Sequence, residues 1–284
     1  YVNGERQGTD VLAPAQTDTR RSIIYNTFDI TKSLASSTTT GGKACMGVIL
    51  GNGRTVPPRY HKHYKIPFLG LPTCRLTIIV EYMDGTQQKF GSSEKWKITA
   101  EGPIRSNNEY DGEVYDARKD LGKWSCVGYD DSSWEKPERA TLPIGELHGQ
   151  TAPNMTITHH IKPVSVKKTE RGTYIVDFGQ NMAGWVQMNM RGNAGDTIKI
   201  KYAERLDENG DLYIKNLRDA ETEDKYICSG KENGTPWHSV FSYHGFRFVE
   251  VKGMKSLAAT DLEAQAVADR LEFTGNFSTS NNVL

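Results

Sequence analysis

Acidic and aromatic side chains gather towards the end of the first half of the chain. Glu113, Asp116 and Asp130 offer hard oxygen ligands of the kind that calcium prefers. Asp130 and Asp131 stand close to Trp134, and planar polar groups beside an aromatic ring are typical of a sugar-binding surface. The same run is equally typical of a turn that enters a strand whose Trp134 fills the core. We therefore predict calcium at the first three residues and carbohydrate contact at Asp130, Asp131 and Trp134, with a structural turn as the alternative.

A second group of polar and aromatic residues surrounds Gly245. His244 and Arg247 could contact a sugar through planar hydrogen-bonding groups next to the ring of Phe246. The alternative, which general packing favours, is that Tyr243 and Phe246 enter the core while His244 and Arg247 tie strands or domains together.

A run rich in glycine and short polar residues separates a predicted strand that ends at Phe178 from one that begins at Trp185. Glycine adopts backbone angles that other residues avoid, and Asp and Asn side chains accept hydrogen bonds from nearby amides. We interpret the run as a tight connection, with contact to a sugar or a partner domain as the alternative. The residues concerned are Asp177, Gly179, Gln180, Asn181, Gly184 and Trp185.

Histidines and cysteines give weaker metal signals. His61 and His63 would share one face of a strand, but the sequence offers no third ligand. His159 and His160 would point to opposite faces, so both pairs are interpreted as surface histidines. The 4 cysteines are far apart and form no CxxC pair, which argues against a zinc or redox site, so we expect buried free thiols, with disulfides as the alternative.

The charge balance excludes several classes of partner. Lys plus Arg and Asp plus Glu both number 35, so no net field recruits nucleic acid or an anionic membrane. No apolar run approaches the length that a bilayer requires. We therefore expect a neutral partner, no nucleic acid and no membrane.

Apolar and polar residues alternate along much of the chain, which is the pattern of a strand with one buried face. A β-hairpin is predicted over residues 76–98, with its turn at Asp84 and Gly85. Residues 262–268 also alternate, which favours a strand over a helix there. Asp29 is predicted to cap a single helical turn.

Proline and glycine interrupt regular structure between residues 134 and 153, which predicts a domain boundary there. We assign one domain to residues 1–150 and a second to residues 151–284. Since no methionine precedes Tyr1, we expect the first domain to lack its beginning. The predicted fold is all-β, with two antiparallel β-sandwiches of the jelly-roll or concanavalin-like kind in tandem.

Several motifs in one order resemble bacterial α-L-rhamnosidases, family 78 of the glycoside hydrolases. The second half is similar to the family's concanavalin-like domain, through VDFGQNMAGW at 176–185, GDT at 195–197, AERL at 203–206, GDLY at 210–213 and FSYHGFRFVEV at 241–251. The first half is similar to the family's N-terminal domain, through YVNG at 1–4, LAP at 12–14, YNTFDIT at 25–31, LGNG at 50–53, GEVYDAR at 112–118 and YDDSSW at 129–134.

This resemblance implies an accessory role. The family continues with an all-helical α/α toroid that holds the catalytic carboxylates, entered near a segment like GNFSTS at 275–280. The implied mechanism is inverting, with an acid and a base roughly 6.5–9.5 Å apart. Pairs such as Glu113 with Asp116 are therefore not expected to be catalytic, and the segment alone is expected not to be an enzyme.

The resemblance also implies partners and an address. We expect the toroid of the parent chain and rhamnose-containing glycans as partners, with no cofactor required and calcium as the metal to consider. The alternative is a rhamnose-binding, lectin-like module that uses calcium, as modules associated with this family do. A periplasmic, cell-surface or secreted bacterial protein is expected rather than a cytoplasmic one.

Overall fold

The computed structural model describes residues 1–35, 41–53, 71–141 and 143–281. The predicted histidine pair at 61 and 63 lies outside the described residues. Among the described residues, no helix is both long and apolar enough to cross a membrane.

Strands dominate the structure, and the prediction of an all-β fold is confirmed. Within the residues described above, the helical elements are α1 (Thr31–Ala35) and 3₁₀ turns at Ala117–Lys119, Lys215–Leu217 and Ala259–Asp261. The strands are β1 (Ser22–Tyr25), β2 (Thr77–Glu81), β3 (Gln87–Gly91), β4 (Ile104–Asn108), β5 (Gly112–Asp116), β6 (Glu146–Gly149), β7 (Met155–Ile161), β8 (Ser165–Lys168), β9 (Tyr174–Met190), β10 (Thr197–Ala203), β11 (Glu223–Ile227), β12 (Thr235–Trp237), β13 (His244–Lys252) and β14 (Leu262–Asp269).

The largest sheet has ten strands in the order β4-β5-β11-β10-β13-β9-β14-β7, and β8 and β12 also pair with β9. Strand β9 connects its parts, because its first half pairs with β8 and β13 while its second half pairs with β12 and β14. Its neighbours are antiparallel, whereas β5 and β11 run parallel. Two small sheets stand apart from it, namely parallel β1-β6 and the hairpin β2-β3.

Alternation along β9, β10 and β13 builds the main core. Ile198, Ile200 and Tyr202 point inward from β10, where each is at most 1% exposed. Full burial of side chains of this size stabilises the fold by about 1.5–3 kcal/mol each. The cluster also contains Val176, Phe178, Val186, Met188, Met190, Phe246, Val249, Val251 and Leu262.

The predicted alternation fails at one point in β13. The sequence places Phe246 and Phe248 on the same face, but the register shifts between them. The extra residues, 178–181, belong to β9, and the alternation of buried residues in β13 changes phase at the same point. Phe246 and Val249 are therefore fully buried, while Phe248 is only half-buried.

Local predictions around the hairpin and the helix are largely confirmed. Asp84 Oδ1 accepts hydrogen bonds from the Thr86 amide at 2.9 Å and from its hydroxyl at 2.7 Å, which closes the turn. The returning strand ends at Gly91, earlier than predicted. Asp29 caps α1 by accepting from the Thr31 amide at 2.9 Å. Residues 262–268 form a strand, as predicted.

The predicted boundary near residue 150 does not separate the strands of the large sheet. Strands β4 and β5 lie before it in sequence and yet join the same sheet as β7 to β14. The division at residue 150 stays a prediction. What the structure shows is continuous backbone pairing, from β5 into β11, across that point in the sequence.

The cysteines are all free thiols, but the expectation of burial is wrong for most of them. Cys228 is buried, Cys45 and Cys126 are half-buried, and Cys74 is exposed.

Candidate functional site

A cluster of five buried polar side chains lies where β5 meets the rest of the large sheet. We call it the buried polar cluster, and its members are Glu113, Tyr202, Asp224, Ser242 and His244. Glu113 comes from β5, Tyr202 from β10, Asp224 from β11 and His244 from β13. Glu113, Asp224 and Ser242 are 0% exposed.

Asp224 is the centre of this cluster. Its Oδ1 accepts from the Glu113 amide at 2.9 Å and from the Ser242 hydroxyl at 3.1 Å, and it lies 3.2 Å from His244 Nε2. Its Oδ2 accepts from the Tyr202 hydroxyl at 2.8 Å. The Tyr202 ring also stacks on the His244 ring, with centroids 4.1 Å apart. A buried carboxylate survives in a core only when such donors replace its lost hydration.

Glu113 reaches the opposite side of the cluster. Its Oε2 accepts from the backbone amides of Val240 at 3.1 Å and Phe241 at 2.9 Å. Glu113 Oε1 and His244 Nδ1 have no hydrogen-bond partner among the described residues. The side chain thus fastens β5 to the loop that precedes β13.

The surroundings of Glu113 and Asp224 shift the pKa values of the two carboxyl groups in opposite directions. Desolvation, reinforced by the charge of Asp224, raises the pKa of Glu113 to about 8. Burial opposes ionisation of Asp224 as well, but the hydrogen bonds it accepts and the nearby His244 leave its pKa lowered. At neutral pH the cluster therefore holds an ionised Asp224 beside a protonated Glu113.

This arrangement cannot perform acid–base chemistry on a bound substrate. A glycosidase needs two carboxyl groups on opposite sides of the glycosidic bond. In inverting enzymes one of them activates a water molecule, and in retaining enzymes it attacks the sugar as a nucleophile. Glu113 and Asp224 are fully enclosed by protein. Their geometry fits a structural link between strands.

The residues predicted to bind calcium are each engaged separately. Glu113 belongs to the buried polar cluster, and Asp116 forms a bidentate ion pair with Arg118, with contacts of 2.8 Å. Asp130 is exposed, and its Oδ1 accepts from the Ser132 amide at 3.0 Å. Within the described ranges, which include all three, no group of three acidic, histidine or cysteine side chains is placed to hold a metal.

The residues predicted to contact carbohydrate lie in two different settings. Asp130 and Asp131 are exposed beside half-buried Trp134, whose ring meets that of Tyr129 edge-on at 5.6 Å. His244 is only 3% exposed and belongs to the core. Arg247 forms a bidentate pair with Asp177 at 2.8 and 2.9 Å. For His244 and Arg247, the structure agrees with the alternative in which they tie strands together.

The glycine-rich run is not a connection between two strands, and this interpretation was wrong. It is a bulge within the single strand β9, where residues 178–181 stand opposite Arg247 of β13. Gly179 has φ of +81°, which favours glycine, and its amide donates to Asp177 at 2.7 Å. The run is a bulge rather than a connection because β13 pairs with β9 on both sides of it.

The remaining members of the run divide between surface and core. Gln180 and Asn181 are exposed, and Asn181 donates to Glu204 at 2.9 Å. Trp185 is buried and its indole N–H donates to Gln265 at 2.8 Å. Gly184 permits a close approach of β14, because a Cβ there would lie 2.0 Å from the Gln265 carbonyl oxygen.

The sequence interpretation missed Tyr202, Asp224 and Ser242. One signal was available for Asp224, because the alternation of β11 places it on the same face as buried Tyr226. An acidic residue at a core position of a strand indicates a buried polar network. The partners across the sheet are determined by register, which the sequence of one strand does not contain.

Comparison with known proteins identifies both parts of the chain. The family model "Alpha-L-rhamnosidase N-terminal domain" matches residues 1–159, more than half of the chain. The model "Bacterial alpha-L-rhamnosidase concanavalin-like domain" matches residues 167–268. Glu113 therefore lies in the first matched region, whereas Tyr202, Asp224, Ser242 and His244 lie in the second.

Individual relatives agree with the family models. An alpha-L-rhamnosidase from Formosa agariphila is 35% identical over 100% of this chain and 30% of its own length. One from Streptomyces avermitilis is 32% identical over 99% of this chain and 27% of its own length. This chain thus spans less than a third of the length of these relatives.

Solved structures show the same relation. The alpha-L-rhamnosidase from Dictyoglumus thermophilum superposes with a TM-score of 0.88 at 37% identity, over 100% of this chain and 31% of that protein. The Streptomyces avermitilis enzyme, solved in complex with L-rhamnose, gives a TM-score of 0.83 at 30% identity, over 99% of this chain and 27% of that protein. The chain belongs to the alpha-L-rhamnosidase family, of which it contains the N-terminal and concanavalin-like domains.

Proposed function

We propose that this chain is the non-catalytic β-sandwich segment of a longer α-L-rhamnosidase that hydrolyses terminal α-L-rhamnosyl bonds of glycans or glycosides. Its role is to support a catalytic α/α toroid and to assist substrate recognition. The observation that carries the proposal is coverage: the whole chain aligns with alpha-L-rhamnosidases, yet with only about 30% of their length.

The buried polar cluster argues for a role in holding a catalytic domain in place. It joins the region matched by the N-terminal model to the region matched by the concanavalin-like model through side chains that are fully enclosed. A charged group held by several donors in a core fixes the relative placement of the elements that supply those donors. Such a unit can present a rigid surface to a neighbouring catalytic domain.

Deleting the segment from the longer protein tests this function. We expect the protein without these residues to lose thermal stability and rhamnoside-cleaving activity together, because the catalytic domain would lose its support. Unchanged melting temperature and activity after the deletion would contradict the supporting role.

A second candidate function is rhamnose binding by the segment itself, assisted by calcium. It is favoured by exposed Asp130 and Asp131, whose carboxylates lie close in sequence to the half-buried ring of Trp134. Titration calorimetry with L-rhamnose, with and without calcium, tests it. Heat that disappears with a chelator would support the candidate, whereas no heat under either condition would eliminate it.

We also propose a periplasmic, cell-surface or secreted location for the bacterial protein. A polymeric glycan does not cross the cytoplasmic membrane, so an enzyme that acts on one has its substrate outside. Fractionation of the producing cells, followed by immunodetection, tests this, and recovery in the cytoplasmic fraction alone would contradict it.

A further inference from the structure

Three lysines lie side by side on the outer face of the large sheet. Lys199 of β10 is the direct register partner of Lys225 on β11 and of Lys252 on β13. We call these three residues the lysine row. Directly opposed side chains on neighbouring strands project from the same face of a sheet, about 5 Å apart at their Cβ atoms.

The lysine row leads into a groove of about 510 Å³. Lys199 and Lys252 line it together with Arg171, Lys255 and the exposed Thr197. Its shape depends on Gly253, where φ is +95° and a Cβ would lie 2.3 Å from the Thr197 carbonyl oxygen. Four cationic side chains thus surround one concave surface.

Acidic neighbours neutralise this group only in part. Oε1 of Glu223 lies 3.1 Å from the Lys199 ammonium and 3.4 Å from the Lys225 ammonium, and Glu221 lies 3.4 Å from Lys225 as well. Arg171 is paired with Asp211 and lies 3.9 Å from Glu250. Lys252 and Lys255 form no ion pair within the part of the chain that the structure describes. The groove therefore retains two cations without a counter-charge.

Like charges directly opposite one another on a sheet destabilise it. Lys199 and Lys252 stand directly opposite one another, and Glu223 offsets only the charge of Lys199, so an anion that bridges their two ammonium groups relieves the repulsion. We propose that the groove beside the lysine row binds the anionic substituents, carboxylate or sulfate, of an acidic saccharide. Ammonium groups supply the charge, and exposed Thr197, which lines the groove, supplies a hydroxyl for sugar oxygens.

The choice of a saccharide as the carrier of these anions rests on the proposed function. The cationic groove itself does not rest on it. The two ideas fail separately, because loss of glycan binding would leave rhamnoside cleavage by the longer protein unaffected, and absence of cleavage would leave binding to an acidic glycan unaffected.

Affinity measurements on the full chain with four polymers test the proposal. The polymers are dextran sulfate, polygalacturonate, neutral dextran and a DNA duplex, measured at low and at physiological salt. The test variant is K252Q/K255Q, and the control is K136Q/K231Q, which removes the same charge from exposed lysines outside the groove. Thermal melting of each variant verifies folding, and K199Q serves as a second test variant.

We expect the wild-type chain to bind dextran sulfate, polygalacturonate or both, more weakly at higher salt, and not to bind dextran. Whichever acidic polymer binds identifies the anion as sulfate or carboxylate. The K252Q/K255Q variant should lose about tenfold in affinity and K136Q/K231Q less than about twofold, since each contact with an anion releases counterions. Binding of neither acidic polymer, equal losses in the two variants, or equally tight binding of the DNA duplex would each overturn the proposal.

Discussion

The backbone amide of Glu113 donates a hydrogen bond of 2.9 Å to Oδ1 of Asp224, 111 residues further along the chain. This bond spans the two regions that the family models match separately. It stands at the centre of a buried cluster in which β5, β10, β11 and β13 each contribute a side chain.

Substituting Glu113 should change the pH dependence of stability. The pKa of Glu113 is raised in the folded state to about 8 from its ordinary value of 4.5, so its contribution is fully present below pH 4.5 and is lost as pH rises through 8. The free energy of unfolding should therefore fall between these values, by an amount on the order of a few kcal/mol. In E113Q, which carries no titratable proton, this decline should disappear in urea unfolding curves.

The ionisation of Asp224 changes stability with pH in the opposite direction to that of Glu113, which supplies an internal control. Its pKa is lowered in the folded state from 3.8, so its contribution is present above that value and lost as pH falls. Acid destabilisation should therefore persist in E113Q. A stability profile in E113Q that still declines between pH 5 and 8 as in the wild type would show that Glu113 is ionised in the fold.

Removing the Tyr202 hydroxyl should destabilise the fold without changing its shape. In Y202F the Oδ2 atom of Asp224 loses its 2.8 Å donor while it stays enclosed. An unsatisfied buried acceptor costs about 1–3 kcal/mol, and more when it is charged. Chemical denaturation measures the loss. Y213F, at a half-buried tyrosine whose ring stacks on Arg205, is the comparison and should cost much less.

Because Gly112 lies close to Asp224, an alanine substitution there should destabilise the fold more than one at Gly122. Gly112 has φ of +97°, and a Cβ there would lie 2.5 Å from the Glu223 carbonyl oxygen and 2.7 Å from Asp224 Oδ1. G112A should therefore cost more than the roughly 1–2 kcal/mol of a left-handed alanine alone. G122A provides the matched control, because Gly122 also has positive φ, at +59°, but open space around it. Equal losses in the two variants would contradict close packing at Asp224.

The Asp177–Arg247 pair should couple β9 to β13 measurably. The pair is bidentate, and the Asp177 side chain is only 19% exposed, which reduces screening by water and salt. D177A should lower Tm by roughly 2–4 °C, and a double-mutant cycle with R247A should give a clear coupling. The Arg171–Asp211 pair, with side chains 59% and 38% exposed, should give little or none. Additive effects at Asp177 and Arg247 would contradict the coupling.

Much of the fold follows from local sequence, and most of the buried cluster does not. Alternation predicts β10 and β14, and Asp84 with Gly85 predicts the hairpin turn, because these signals lie within a few residues. The bulge at residues 178–181 was mistaken for a connection, since the same glycine and Asx residues serve both structures. Asp224 meets Glu113 only through the parallel pairing of β5 with β11, a long-range choice that no local pattern contains.

The most direct test of an accessory role is to incubate this chain alone with a chromogenic α-L-rhamnoside. The alpha-L-rhamnosidase from Dictyoglumus thermophilum, which contains a structurally similar segment, serves as the positive control. We predict chromophore release by the control and none above the uncatalysed rate by this chain. Sustained release by the purified chain, proportional to its concentration, would show that its own residues catalyse the reaction and would contradict the account.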